Sequence, residues 1–197
     1  DGIALQTIKL VFQYLEKSVL TGDPEAREKI HNASTMAGMA FANAFLGMSH
    51  SMAHKIGGRF HTVHGRTNAI LLPYVIRYNG TRPSKTTTWP KYNYWKADEK
   101  FQDIARMLGL PHSTPEEAVA AYAKAVYELG EKVGIKMNFK DQGIDEQEWK
   151  KYTHELALLA YEDQCSPANP RLPMVADMEE IMNDAYYGYK ERPGRIK

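Results

Sequence analysis

Cysteine is nearly absent: Cys165 is the only one in 197 residues. An internal disulfide is therefore excluded, and the scarcity suits a reducing cytoplasm. Neither sign of charge prevails, with 25 basic and 24 acidic residues mixed along the chain and a net charge of +1. That balance removes the basic excess needed to bind nucleic acid or an anionic membrane surface. No apolar run approaches the roughly 18 residues of a membrane helix, and no secretory signal opens the chain. Strand alternation and internal repeats are missing. So is a strand followed by a glycine-rich turn and helix, the arrangement that would hold a dinucleotide pyrophosphate. The chain begins at Asp1 without an initiator Met, which leads us to expect a proteolytic product or a trimmed polypeptide.

What the chain does have is helical patterning. A hydrophobic content of 43% suffices for the core of one domain. Ala4, Ile8, Val11, Leu15 and Val19 recur at three- and four-residue spacing, predicting a first amphipathic helix over about 3–20. Thr21-Gly22-Asp23-Pro24 stops it and caps a second helix over about 24–48. That second helix carries a small-residue face (Ala33, Ala37, Gly38, Ala40, Ala42, Ala44) expected to pack in the core. Thr114-Pro115-Glu116-Glu117 repeats the capping logic and opens a helix to about 133. Further helices are predicted near 94–108, 145–161 and 174–186. The fold class is therefore all-α, a helical bundle.

The densest chemistry lies between residues 45 and 79, where His50, His54, His61 and His64 fall within fifteen residues. Such a cluster points to a metal or proton-transfer site, the plainer reading being polar residues around a helix corner. His50 and His54 are four apart and share one helix face. In one unbroken helix His50 and His64 would stand about 21 Å apart at 1.5 Å per residue, too far for one metal ion. The chain must turn between them. Gly57-Gly58 is the predicted break, putting His50 and His54 near the end of one helix and His64 at the start of the next, which runs to Tyr78.

The run of H-x-x-x-H, then I-G-G, then V-H-G-x-x-N-A-I-L-L-P resembles the signature of the iron-dependent (group III) alcohol dehydrogenases, with Val63 where the family usually has Pro. The segments 79–111 and 161–182 resemble the C-terminal end of the bifunctional aldehyde-alcohol dehydrogenases, so the likeness covers essentially the whole chain. It implies the C-terminal metal-binding domain, here residues 1–197, with His50 and His64 as metal ligands and His54 beside the substrate in proton transfer. It implies Fe²⁺, with Zn²⁺ as the other candidate, acting as a Lewis acid on the alcohol oxygen. It further implies NAD(H) as hydride carrier, a small alcohol or aldehyde as substrate, the conversion of acetyl-CoA through acetaldehyde to ethanol, and assembly into homo-oligomers or filaments.

The family's other two metal ligands, an Asp and a His spaced D-x-x-x-H upstream, have no counterpart before His50, and the nucleotide-binding domain is absent. The chain alone is therefore expected to bind metal weakly and to lack NAD-linked activity. The competing reading is a non-catalytic helical interaction module with a structural His cluster. The aromatic loop over 79–91, flanked by Trp89, Tyr92, Tyr94 and Trp95, would be its docking surface, or the contact with another subunit. His31, His112 and His154 stand alone and read as surface or packing residues. Asn169-Pro170-Arg171 reads as a structural turn whose side chains fix loop carbonyls. Cys165 lacks a basic partner nearby in sequence and is a poor nucleophile. Asp163 offers a carboxylate but no pattern.

Overall fold

Capping residues decide where the helices begin. In the computed structural model, which describes residues 1–83 and 95–188, Asp23 accepts a hydrogen bond from the Ala26 amide at 2.9 Å, with Pro24 in the first turn. Thr114 accepts from the Glu117 amide while the Glu117 carboxylate accepts from the Ser113 amide, and Asp145 accepts from the amides of Gln147 and Glu148. Each cap satisfies amides that the first helical turn leaves without partners.

Eight α-helices result among the described residues, with no strand: α1 Gly2–Leu20, α2 Pro24–Ala44, α3 Met48–Phe60, α4 His64–Gly80, α5 Ala97–Met107, α6 Pro115–Lys132, α7 Glu146–Tyr161 and α8 Val175–Tyr187. A short 3-10 turn, Ser166–Ala168, sits between α7 and α8. The all-α expectation holds.

Helix α4 is the central strut. It packs against α3 and α8 on one side and against α5 and α6 on the other. The larger apolar cluster joins α3, α4, α7 and α8 around Met52, Ile56, Leu71, Trp149, Met178 and Met182. A second cluster gathers Ile76, Ile104, Val119 and Tyr122, and Leu5, Ile8 and Phe12 of α1 lie against it.

Three boundaries depart from expectation. Helix α2 ends at Ala44 rather than near Met48, because Phe45 turns to φ 64° and the buried side chain of Asn169 accepts the Met48 amide, starting α3 afresh. Gly47 is needed there, since a Cβ would lie 2.8 Å from Asn169 Oδ1. Gly57-Gly58 does not break α3, which continues to Phe60 and ends where His61 takes a left-handed φ of 55°. At Gly57 the returning chain passes close, its Thr62 carbonyl oxygen 3.4 Å from where a Cβ would stand, whereas a Cβ on Gly58 would meet nothing within 4 Å. The predicted loop over 79–91 starts later than expected, because Asn79 and Gly80 close α4. Trp89, Tyr92 and Tyr94 lie outside the described residues.

The small-residue face of α2 is only partly covered. Ala26 and Ala33 are buried against α1, whereas Ala42 and Ala44 are exposed beside Phe41 and Phe45.

Close packing of α4 against α6 depends on Gly80, where an added Cβ would meet the Val119 methyls at 2.5 and 2.7 Å and the Phe101 ring at 3.2 Å. Gly80→Ala is expected to cost about 1–3 kcal/mol by overpacking, read as a lowered urea midpoint at constant m-value.

Candidate metal centre

His50 and His54 occupy the first two turns of α3, not its end, one turn apart on the same face. What brings His64 to them is the path after Phe60. Residues 61–63 are outside helix and can reach about 10 Å at roughly 3.3 Å per residue. They turn the chain back against α3, with the Thr62 carbonyl beside Gly57, so that His64 in the first turn of α4 faces His50 and His54. A hydrogen bond of 3.0 Å from Ser49 Oγ to Asn68 Oδ1 ties the two helix starts together, and Thr62 Oγ1 meets Thr67 Oγ1 at 2.6 Å.

The three imidazoles form a triangle. Ring centroids are 5.3 Å apart for His50 and His64, 5.5 Å for His54 and His64, and 6.2 Å for His50 and His54. Imidazoles sharing one ion through bonds of about 2.1 Å would place their centroids about 5 to 5.5 Å apart. The pairs His50–His64 and His54–His64 both meet that spacing, and neutral imidazole suits Fe²⁺ as well as Zn²⁺. Burial, followed by the neighbouring His64 and His54, pushes the His50 pKa below its usual value, opposed by Asp163. A ring kept neutral is a ring ready to ligate. The His64 ring is steadied by its own helix, since Asn68 Nδ2 lies 3.3 Å from His64 Nε2 and 3.2 Å from the His64 carbonyl oxygen.

Behind His54 stands Asp163, from the turn after α7. Its Oδ2 is 3.1 Å from His54 Nδ1 and 2.9 Å from Lys55 Nζ, and its Oδ1 accepts the Cys165 amide at 3.0 Å. Burial alone would raise its pKa, but the Cys165 amide, Lys55 and His54 outweigh that and hold it well below the usual carboxylate range. Donor atoms of His54, Asp163 and Cys165 also lie within 4.8 Å of one another. This trio suits a metal poorly. The Asp163 carboxylate already holds the lysine ammonium, and burial, then Asp163, pushes the Cys165 thiol up, away from the thiolate a metal requires.

The structure thus brings together His50, His54 and His64 and leaves His61 out, exposed at the end of α3. Sequence reasoning gives Asp163 no role because His54 is 109 residues away, with no local pattern to reveal the pairing. The turn at Asn169 is structural, as its pattern suggests. Asn169 Nδ2 donates to Asn79 Oδ1 at 2.7 Å and to the Arg171 carbonyl at 2.6 Å, while Arg171 donates to the carbonyls of Tyr78 and Thr81. Of the isolated histidines, His112 contacts the Leu110 carbonyl at 2.7 Å and His154 pairs with Glu179 at 2.8 Å on the surface.

Residues 1–186 match the family described as Fe-containing alcohol dehydrogenase, C-terminal. The chain is 79% identical over its whole length to an aldehyde-alcohol dehydrogenase of Streptococcus pneumoniae serotype 2, strain D39, and spans 22% of that protein. Over 95% of its length it is 58% identical to aldehyde-alcohol dehydrogenase 2 of Entamoeba histolytica, of which it spans 21%. Among solved structures, it superposes on an alcohol dehydrogenase from Oenococcus oeni with a TM-score of 0.81 and 33% identity, covering 94% of this chain and 45% of that one. The chain belongs to the Fe-containing alcohol dehydrogenase family, as the C-terminal part of such an enzyme.

Proposed function

We propose that this chain supplies half of the metal-binding side chains, and the proton acceptor, of an enzyme that interconverts acetaldehyde and ethanol with NAD(H). We further propose that it does so within a longer polypeptide that also turns acetyl-CoA into acetaldehyde. The observation that carries the reading is the imidazole triangle, built from side chains of the packed helices α3 and α4. Its similarity to longer aldehyde-alcohol dehydrogenases supplies the substrate class.

In this reading His50 and His64 hold the ion, with an Asp and a His from the preceding part of the polypeptide completing the set. Bound there, Fe²⁺ supplies Lewis acidity toward the alcohol oxygen. His54 would take the hydroxyl proton of ethanol, and bound NAD⁺ would supply the acceptor for the hydride on the adjacent carbon, the products being acetaldehyde and NADH. The described residues contain no dinucleotide fold, so the nicotinamide is held elsewhere in the full-length protein. The isolated 197-residue chain is accordingly inactive and a weak metal binder. An interaction module gives the three rings no reason to converge.

The full-length protein, loaded with iron under anaerobic conditions, is expected to oxidise NADH when acetaldehyde is added and to lose that activity on chelation. The isolated chain is expected to show none. Undiminished turnover in chelated, metal-free protein would overturn the proposal.

A further inference from the structure

We propose that Asp163, backed by Lys55, is the positioning residue that fixes the orientation and tautomer of His54, turning Nε2 toward the substrate. The inference deepens the dehydrogenase reading above and rests on it.

The carboxylate is held from three directions. The Cys165 amide fixes Oδ1 at 3.0 Å, and Lys55 reaches Oδ2 at 2.9 Å from the residue next to His54 on α3. The turn that carries Asp163 is itself bolted to α3, because Ser166 Oγ lies 2.9 Å from Ser51 Oγ while donating to the Ala160 carbonyl oxygen at 2.6 Å. The Asp163 side chain is 7% exposed, so water does not compete freely for its oxygens.

From this follows the chemistry at His54. An ionised carboxylate only accepts, so the 3.1 Å contact places a hydrogen on Nδ1, and in the neutral ring the free lone pair is then on Nε2. The ring cannot turn over without breaking that bond. Its other edge is therefore presented to the space beside His50 and His64, where the alcohol proton is to be taken. The neighbouring His64 ring lies parallel to it, at 16° between planes, and gives no directional hydrogen bond. Asp163 touches neither substrate nor hydride. Its effect runs through His54 alone, and Lys55 keeps the carboxylate at its post.

The test uses the full-length, iron-loaded enzyme carrying Asp163→Asn. The carboxamide oxygen stays with the Cys165 amide, so its NH₂ faces His54 and Lys55. The imidazole must then accept at Nδ1 and carry its hydrogen on Nε2, the wrong tautomer for taking a proton. The expected result is a fall in kcat of about 10² to 10⁴-fold, the range that general acid–base assistance contributes, with KM for acetaldehyde and NADH changed less than about threefold and iron content unchanged. Asp163→Glu is expected to regain part of the loss. In Asp163→Asn the new carboxamide NH₂ also meets the Lys55 ammonium donor to donor, so the double variant with Lys55→Met separates that clash from the tautomer. The double variant staying slow supports the proposal, and its recovery to wild-type kcat overturns it. A parallel loss of iron and thermal stability at unchanged kcat per iron would make Asp163 merely structural and overturn the proposal. A wild type without dehydrogenase activity would overturn the functional reading instead. In that case crystals decide the positioning role, since an unchanged His54 ring orientation in Asp163→Ala overturns it and a displaced ring supports it.

Discussion

Replacing His50 and His64 together by alanine in the full-length protein is expected to remove stoichiometric iron and to lower acetaldehyde reduction at least about 10³-fold. The magnitude follows because Lewis-acid assistance is worth several kcal/mol and each ~1.4 kcal/mol changes a rate tenfold. The two rings stand 5.3 Å apart, a separation that fits a shared ion, and neither is part of the apolar core. Folding should survive the change. His64 is exposed and His50 only half-buried, so truncating both rings opens no enclosed cavity. His54→Ala should behave differently, keeping iron while losing turnover, because in the proposed reading His54 takes the proton and is not a ligand. Metal analysis of the purified proteins together with acetaldehyde-dependent NADH oxidation distinguishes the cases. A double variant that keeps a full complement of iron would remove His50 and His64 from the metal site.

Trp149→Ala is expected to destabilise the chain by about 3–5 kcal/mol, the usual cost of truncating a fully buried Trp. Trp149 is 0% exposed and joins four parts of the fold. Its ring stacks with Phe60 at the end of α3 (5.6 Å), with Phe139 in the segment before α7 (5.3 Å) and with Tyr186 of α8 (4.8 Å). Its indole N–H donates to Asn183 Oδ1 at 3.0 Å. Removing it opens a cavity where α3, α7 and α8 meet, and leaves an acceptor without its donor. Trp149→Phe, which keeps most of the apolar volume but not the N–H, should cost appreciably less. Urea unfolding followed by circular dichroism measures both. A loss below about 1 kcal/mol for the alanine variant would mean that the three helices pack without this clamp.

The features legible in the sequence are those governed by local spacing. Thr114 and Asp145 mark the starts of α6 and α7 because a cap acts within three residues, and the four-residue spacing of His50 and His54 puts both on one face wherever the helix begins. Gly57-Gly58 misleads because glycine permits two outcomes, a break or a close approach of another segment. Only the return of Thr62 over α3 shows which applies. The start of α3 is equally hidden. It depends on Asn169, 121 residues beyond the Met48 amide it accepts. Asp163 is invisible for the same reason: no short window of sequence contains both it and His54. The small-residue face of α2 is legible as a packing surface, yet over its C-terminal half the described residues do not cover it.

The most direct measurement is the location of the ion itself, from anomalous diffraction at the iron edge in crystals of the full-length protein. The expected result is a single peak about 2.1 Å from one nitrogen each of His50 and His64, with His54 hydrogen-bonded to Asp163 and outside the coordination sphere. A peak on the His54, Asp163 and Cys165 group, or bonds to neither His50 nor His64, would contradict the account.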